Sequence, residues 1–325
     1  MTAADRTATA SKDPRETSEA KAVFQHIVVA TDFSDASRRA LCDALALADE
    51  NRAQLSVVHV LPRDHRLGAF ENPSKLDRER MDAERRIQSL VAGLHTEQKI
   101  DAVVLKHGLV AQAVASMIAS NAVDLLIIGT RGRSGLRKLA LGSVAEELLR
   151  LSPCPVMTIG PRGDIAAITH GPGFGRILFA TDFGKGSASA LPLALALAKA
   201  YQARLILLHM IPPMPATTGG LSAYAPAGAA ADELQEWVAA SRQQVIQKLR
   251  ESVPAESGLS QEPEYMAGTD FFPEGILNVV DKFKVDLIVM GANRIASARA
   301  AAHIPWSAVH EVVRRAACPV LTVAG

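Results

Sequence analysis

The chain has 325 residues, 48% of them hydrophobic and 21% charged, an ordinary globular composition with room for two domains. With 35 basic and 34 acidic residues the formal net charge is +1, which gives no support to a polyanion such as nucleic acid as the main partner and leaves a locally bound small anion open. Three scattered cysteines exclude a disulfide framework or a cysteine-rich metal knot and favour a reducing compartment, the cytoplasm.

Residues 1–22 read as a disordered tail: Met1 to Lys21 mixes four basic with four acidic residues and has no apolar core, so it reads as neither a secretory signal nor a typical acid-poor transit peptide. No later apolar run approaches the ~20 residues of a membrane helix. Strands are expected near 26–30, 55–60, 102–107, 124–129 and 155–159. Between them, Ala40, Leu41, Ala44, Leu45 and Ala48 form a helical stripe, and residues 76–95 form a more charged helix. VVHV and LLIIG are apolar without alternation, as in strands covered on both faces. Residues 161–175, rich in glycine and proline, read as a linker.

The series then repeats. HIVVATDF from His26 returns as RILFATDF from Arg176, an offset of 176 − 26 = 150, and His59-Val60-Leu61-Pro62 returns as His209-Met210-Ile211-Pro212 at the same offset. DLLIIG at Asp124 matches DLIVMG at Asp286 (162), and CPVMTI at Cys154 matches CPVLTV at Cys318 (164). The chain is therefore two copies of one α/β unit, residues 23–160 and 176–325. Each copy is a doubly wound, mainly parallel five-stranded sheet with helices on both faces and right-handed crossovers. In such a sheet, ligands bind at the carboxyl ends of the strands where the winding reverses. If the first and fourth strands are neighbours there, Asp32 and the loop after Gly129 face one crevice.

That loop carries the chemistry. Asp124 to Ser143 reads as a strand ending at Gly129, then Gly132, nine residues (133–141), and Gly142-Ser143 where a helix begins. Glycines let backbone N–H groups approach an anion, and a helix N-terminus adds more donors. No Gly-Lys-Ser/Thr ending is present, so this is not a Walker A loop. Arg131, Arg133, Arg137 and Lys138 form a basic flap that either neutralises phosphate or is simply solvated. By its chemistry alone Asp32 is either a ligand carboxylate or an acid favoured at a helix N-terminus.

The G-x-x-G…G-S spacing, with Thr31-Asp32 after the first strand and Cys154-Pro155-Val156 entering the fifth, resembles the universal stress protein family in its ATP-binding branch, over nearly all of residues 24–325. The resemblance implies that Asp32, with Thr31 and the backbone of Ala30 and Val60, holds the adenosine end of ATP. It also implies that Gly129, Gly132, Arg133, Gly142, Ser143 and Val144 hold the phosphates, which a divalent ion such as Mg2+ or Mn2+ often accompanies. It further implies an adenine nucleotide as ligand, a signalling protein as partner, a pseudo-dimer of the two halves through Pro155–Ile159 and Pro319–Val323, and further dimerisation of chains. The function implied is nucleotide-dependent sensing in stress tolerance, with a slow ATP hydrolase or adenylate-handling enzyme and a nucleotide-independent interaction module as alternatives.

The second copy departs from this pattern. It keeps Thr181-Asp182, Gly291 and Ser307, but Arg294 and Trp306 replace two glycines, and the gap of eleven residues (295–305) contains Pro305, which lacks an N–H. Poor or absent nucleotide binding is expected there. His59 and His209 read as packed, hydrogen-bonded histidines, while His303 and His310 do not specify a metal site. Cys154 and Cys318 read as small buried hydrophobes. Ala216–Ala231 is either a flap or a disordered insertion.

Overall fold

A computed structural model describes residues 23–61, 73–94, 96–105, 109–130, 141–160, 173–211, 231–270, 272–292 and 306–325. In the first half, strands β1 (His26–Ala30), β2 (Gln54–Val60), β3 (Ile100–Leu105), β4 (Leu125–Gly129) and β5 (Val156–Ile159) alternate with helices α1 (Asp35–Asn51), α2 (Pro73–Ala92), α3 (Val110–Ser120) and α4 (Ser143–Leu151). The second half repeats the series with β6 (Arg176–Ala180), α5 (Lys185–Ala200), β7 (Arg204–Met210), α6 (Ala231–Ser252), β8 (Glu264–Gly268), α7 (Glu274–Phe283), β9 (Leu287–Ala292), α8 (Trp306–Arg315) and β10 (Val320–Ala324).

Two elements start more than one residue away from the sequence expectation. Strand β3 begins at Ile100 instead of 102, because Ile100 and Asp101 enter the ladder opposite Leu55 and Ser56. Helix α2 begins at Pro73 instead of 76: proline fits the first helical position, whose N–H has no intrahelical acceptor. The tail 1–22, residues 161–172 of the linker and residues 216–230 of the insertion lie outside the described residues.

Among the described residues, ten strands form one sheet in the order β3-β2-β1-β4-β5-β10-β9-β6-β7-β8. Pairing is parallel within each half and antiparallel at β5–β10, so the last strands join two five-stranded sheets edge to edge. Register is set at the strand starts by a repeated device. The Asp124 carboxylate accepts the N–H groups of Gln25 and His26 (2.7 and 3.3 Å), and Asp286 accepts those of Gly175 and Arg176 (3.0 and 2.8 Å).

The sheet separates two hydrophobic cores, and each runs through both halves. Ile27 and Val29 of β1 pack with Leu41, Ala44 and Leu47 of α1, and this core continues through Ala194 and Leu197 of α5. Val28 faces the other way, into a core with Val114 of α3, Leu148 of α4, Ile276 of α7 and Val312 of α8. Burial on both faces is why the strand sequences lack polar alternation.

Candidate functional site

From β1 the chain winds outward to β2 and β3, then crosses back to β4 on the other side of β1. The loops after β1 and β4 therefore flank one crevice at the point where winding reverses. The two ends are in contact: a Cβ built on Gly129 would lie 2.8 Å from the backbone carbon and oxygen of Ala36 and 3.1 Å from its Cβ. Glycine is required at 129 by the close approach of α1, a reason distinct from the anion contact expected of it.

The turn carrying Asp32 is held on every side. Thr31 is buried, its N–H donates to the Val58 carbonyl (2.9 Å), and its hydroxyl meets Ser37 Oγ (3.0 Å) while accepting the Phe33 N–H (3.0 Å). His59 Nδ1 donates to the Thr31 carbonyl at 2.7 Å. Phe33 sits at φ 64, a left-handed conformation that costs a non-glycine residue roughly 1–2 kcal/mol. Its ring packs on His59, with centroids 4.5 Å apart, and Arg86 of α2 lies 3.9 Å over it. Asp32 is half-buried, with Oδ1 accepting the Ser34 N–H at 3.0 Å, and Ser34 caps α1 through its bond from the Ser37 N–H.

Ala30 ends β1. The side chain of Val60 is buried. In a parallel strand one residue's N–H and C=O point to the same side, so Val60 shares the orientation of Val58, whose carbonyl accepts from Thr31. The peptide groups of Val60 thus face the crevice, past the last paired residue of β1.

The β4 loop leaves and returns at one neck. Thr130 donates its N–H to Ile159 and accepts the Gly142 N–H, both at 3.1 Å. Gly142 has φ −66, and its N–H closes the neck, so of the donors expected at the phosphate this one is already engaged. Ser143 and Val144, both exposed, open α4, whose N-cap Gly142 offers no side-chain acceptor to the N–H donors of the first turn. Gly132 and Arg133, with Arg131, Arg137 and Lys138, lie outside the described residues.

A sequence model of the universal stress protein family matches residues 24–160 and again residues 173–324. The chain belongs to the universal stress protein family. Among curated relatives, a universal stress protein from the QAH/OAS sulfhydrylase 3' region of Thermus aquaticus is 34% identical over 140 residues, covering 42% of this chain and 99% of its own length. Universal stress protein YxiE of Bacillus subtilis (strain 168) is 28% identical over 153 residues, with 42% and 99% covered. A universal stress protein from Archaeoglobus fulgidus DSM 4304 has the same fold over 92% of this chain and 98% of its own, with TM-score 0.62 and 19% identity.

In the second half of this universal stress protein the β6–α5 turn is nearly a copy of the first. Thr181 donates its N–H to Leu208 (2.9 Å), accepts the Phe183 N–H (2.9 Å) and receives His209 Nδ1 (2.8 Å); Phe183 sits at φ 58, with Lys248 4.1 Å over its ring in the place of Arg86. One difference concerns the carboxylate. Gly184 replaces the capping Ser34, and Asp182 Oδ1 takes both the Gly184 N–H (2.8 Å) and the Ser187 hydroxyl (2.5 Å). Arg294, His303 and Pro305 lie outside the described residues, as do the side chains of Trp306 and Ser307.

Burial pushes the His209 imidazole below its ordinary pKa, against the upward pull of Thr181 and Asp182. Burial likewise pushes the Cys318 thiol up to about 12 and raises that of Cys154, which suits thiols packed as hydrophobes. Sequence reasoning passed over Phe33, Ser37 and Arg86. The repeated T-D-F triplet was the available signal for Phe33. Arg86 carried none, because its partner ring lies on a distant element.

Proposed function

We propose that this tandem universal stress protein binds ATP in its first half, one nucleotide per chain, and acts in the cytoplasm as a nucleotide-dependent sensor in the stress response. The observation carrying this reading is the contact of Gly129 with Ala36, which brings the start of α1, just after the Asp32 turn, against the end of β4 at the winding reversal. There Asp32 and the peptide groups of Ala30 and Val60 suit a ribose and a base, which present hydrogen-bond donors and acceptors. The α4 N-terminus, with Ser143 and Val144 and the Gly132–Arg133 stretch of the loop, suits an anion. A divalent ion would come with the nucleotide. Among the described residues no group of three His, Cys, Asp or Glu side chains stands ready for one, so the phosphates themselves would be its main ligands.

The second half is proposed not to hold ATP. Asp182 is drawn to Ser187, and the sequence places Arg294, Pro305 and Trp306 where the first loop has glycines and backbone donors. Occupancy of the first crevice would bias the loop and α4, and with them the surface that a signalling partner reads. Calorimetric titration with ATP tests this. The expected result is one site per chain, abolished by Gly132→Val and weakened by Asp32→Ala; two equivalent sites, or a Gly132→Val chain that binds as the parent does, would refute it.

A further inference from the structure

The two halves meet about an approximate two-fold axis that passes between Met157 and Leu321. These residues are equivalent in the duplication (321 − 157 = 164) and stand opposite each other in the β5–β10 ladder. Along the strands the interface is the same from either side: Thr158 Oγ1 donates to the Val320 carbonyl and Thr322 Oγ1 to the Val156 carbonyl, both at 3.1 Å. All four residues obey the same offset. Two β5 strands, or two β10 strands, could therefore make the same bonds, and the sheet edge by itself does not distinguish the other half from a second copy.

Two other contacts on the axis do distinguish them. On the α1 and α5 face, Asn51 meets its own equivalent, Tyr201 (201 − 51 = 150), with Nδ2 donating to the phenol oxygen at 3.0 Å. Each also supports its own half by different chemistry. Asn51 Oδ1 accepts the N–H groups of Val23 and Phe24 (3.0 and 3.3 Å), whereas the Tyr201 ring packs edge-on against Phe174, the equivalent of Phe24, at 5.0 Å. On the opposite face Glu146 of α4 meets its equivalent, His310 of α8 (310 − 146 = 164), at 3.7 Å. That separation is too long for a hydrogen bond and lies within ion-pair distance for a protonated ring. His310 Nε2 is buried with no hydrogen-bond partner among the described residues.

We propose that these two equivalent pairs have diverged to make the interface heterotypic: each half selects the other half of the chain and rejects a copy of itself. Two first halves would set Glu146 against Glu146, a like-charge contact, and Asn51 against Asn51, which is too small to span the gap filled by a tyrosine ring. Two second halves would crowd two Tyr201 rings into that gap. The occupant fitted to this surface is thus the opposite half, and covalent linkage favours the one on the same chain, which keeps one copy of each crevice in every assembled unit. The reasoning holds whatever the crevices bind.

Refolding the complete chain in two tagged forms tests the proposal. The two forms are unfolded together in urea, refolded by dilution, and purified through both tags in succession; forms mixed without unfolding report any association of intact chains. For the parent, refolding should add nothing to the mixed control. At the α4–α8 contact, His310→Glu makes every pairing of halves Glu–Glu, and Glu146→His makes every one His–His; the Asn51–Tyr201 contact is left unchanged. Each should raise the doubly tagged fraction about fivefold over its own control, the factor equivalent to ~1 kcal/mol, the upper range for a partly exposed charge pair. The swap carrying both substitutions restores Glu–His complementarity and should return to the parent level. Because the two single variants lose discrimination by opposite chemistry, poor recovery of one leaves the other to report. Single variants that exchange no more than the parent, or a swap that exchanges as much as they do, would overturn the proposal.

Discussion

Gly129→Ala adds one methyl group at the contact between the end of β4 and the first turn of α1. The new Cβ would stand 2.8 Å from the Ala36 backbone carbon and oxygen, where ordinary contact begins near 3.4 Å, so α1 must retreat by about 0.6 Å. Backbone atoms cannot yield by changing rotamer, and overpacking of this kind typically costs about 1–3 kcal/mol. The retreat also shifts the Asp32 turn relative to the end of β4, and a loss of ~1.4 kcal/mol in ATP binding would be a tenfold weaker Kd. Urea unfolding should show a lower midpoint at unchanged slope, and calorimetry the weaker binding. Gly291→Ala is the matched control in the second half: its Cβ would fall on the Gly186 and Ser187 backbone, so the chain should lose stability while ATP affinity holds. Gly160→Ala, whose Cβ would meet the Ala316 oxygen at 3.5 Å, should be tolerated within about 0.5 kcal/mol. A Gly129→Ala chain with the parent midpoint would refute the packing argument. A destabilised chain with parent ATP affinity would instead refute the link between that contact and the crevice.

Two further outcomes are expected from burial. The depressed pKa of His209 means that the unfolded chain takes up the proton first, so its contribution to stability is complete above the ordinary histidine value of 6.5 and is lost as pH falls from there toward the folded pKa. His209→Asn, which keeps a donor for the Thr181 carbonyl, should flatten the pH dependence of the urea midpoint below pH 6.5; an unchanged slope would exclude His209 as its source. For the cysteines, a thiol reagent at pH 8 should label exposed Cys42 rapidly in the native chain. Buried Cys154 and Cys318 should react only on unfolding, which mass spectrometry of the labelled peptides would check.

Much of the site was legible because duplication writes each motif twice. T-D-F, H-x-x-P and D-L-x-x-x-G recur in order, and they mark the β1 turn, the end of β2 and β4. The role of Gly129 was not legible: a glycine after a strand suits both a loop that approaches an anion and a helix that packs closely, and the two differ only in what stands opposite. Gly142 shows the same limit, since the engagement of its N–H by Thr130 depends on where the loop returns. Ser37 and Ser187 are equivalent in sequence, yet one hydroxyl meets Thr31 and the other Asp182, a divergence that follows the exchange of the capping Ser34 for Gly184.

By itself the sequence determined the duplicated α/β unit, the order of its strands and helices, and the residues available at the carboxyl ends of the strands, because periodicity and turn chemistry are local properties of the chain. Tertiary structure alone decided that β1 lies beside β4 and that Asn51 meets Tyr201 while Glu146 meets His310. Those contacts span 150 and 164 residues, and no local pattern encodes which side chains an approximate two-fold axis will bring face to face.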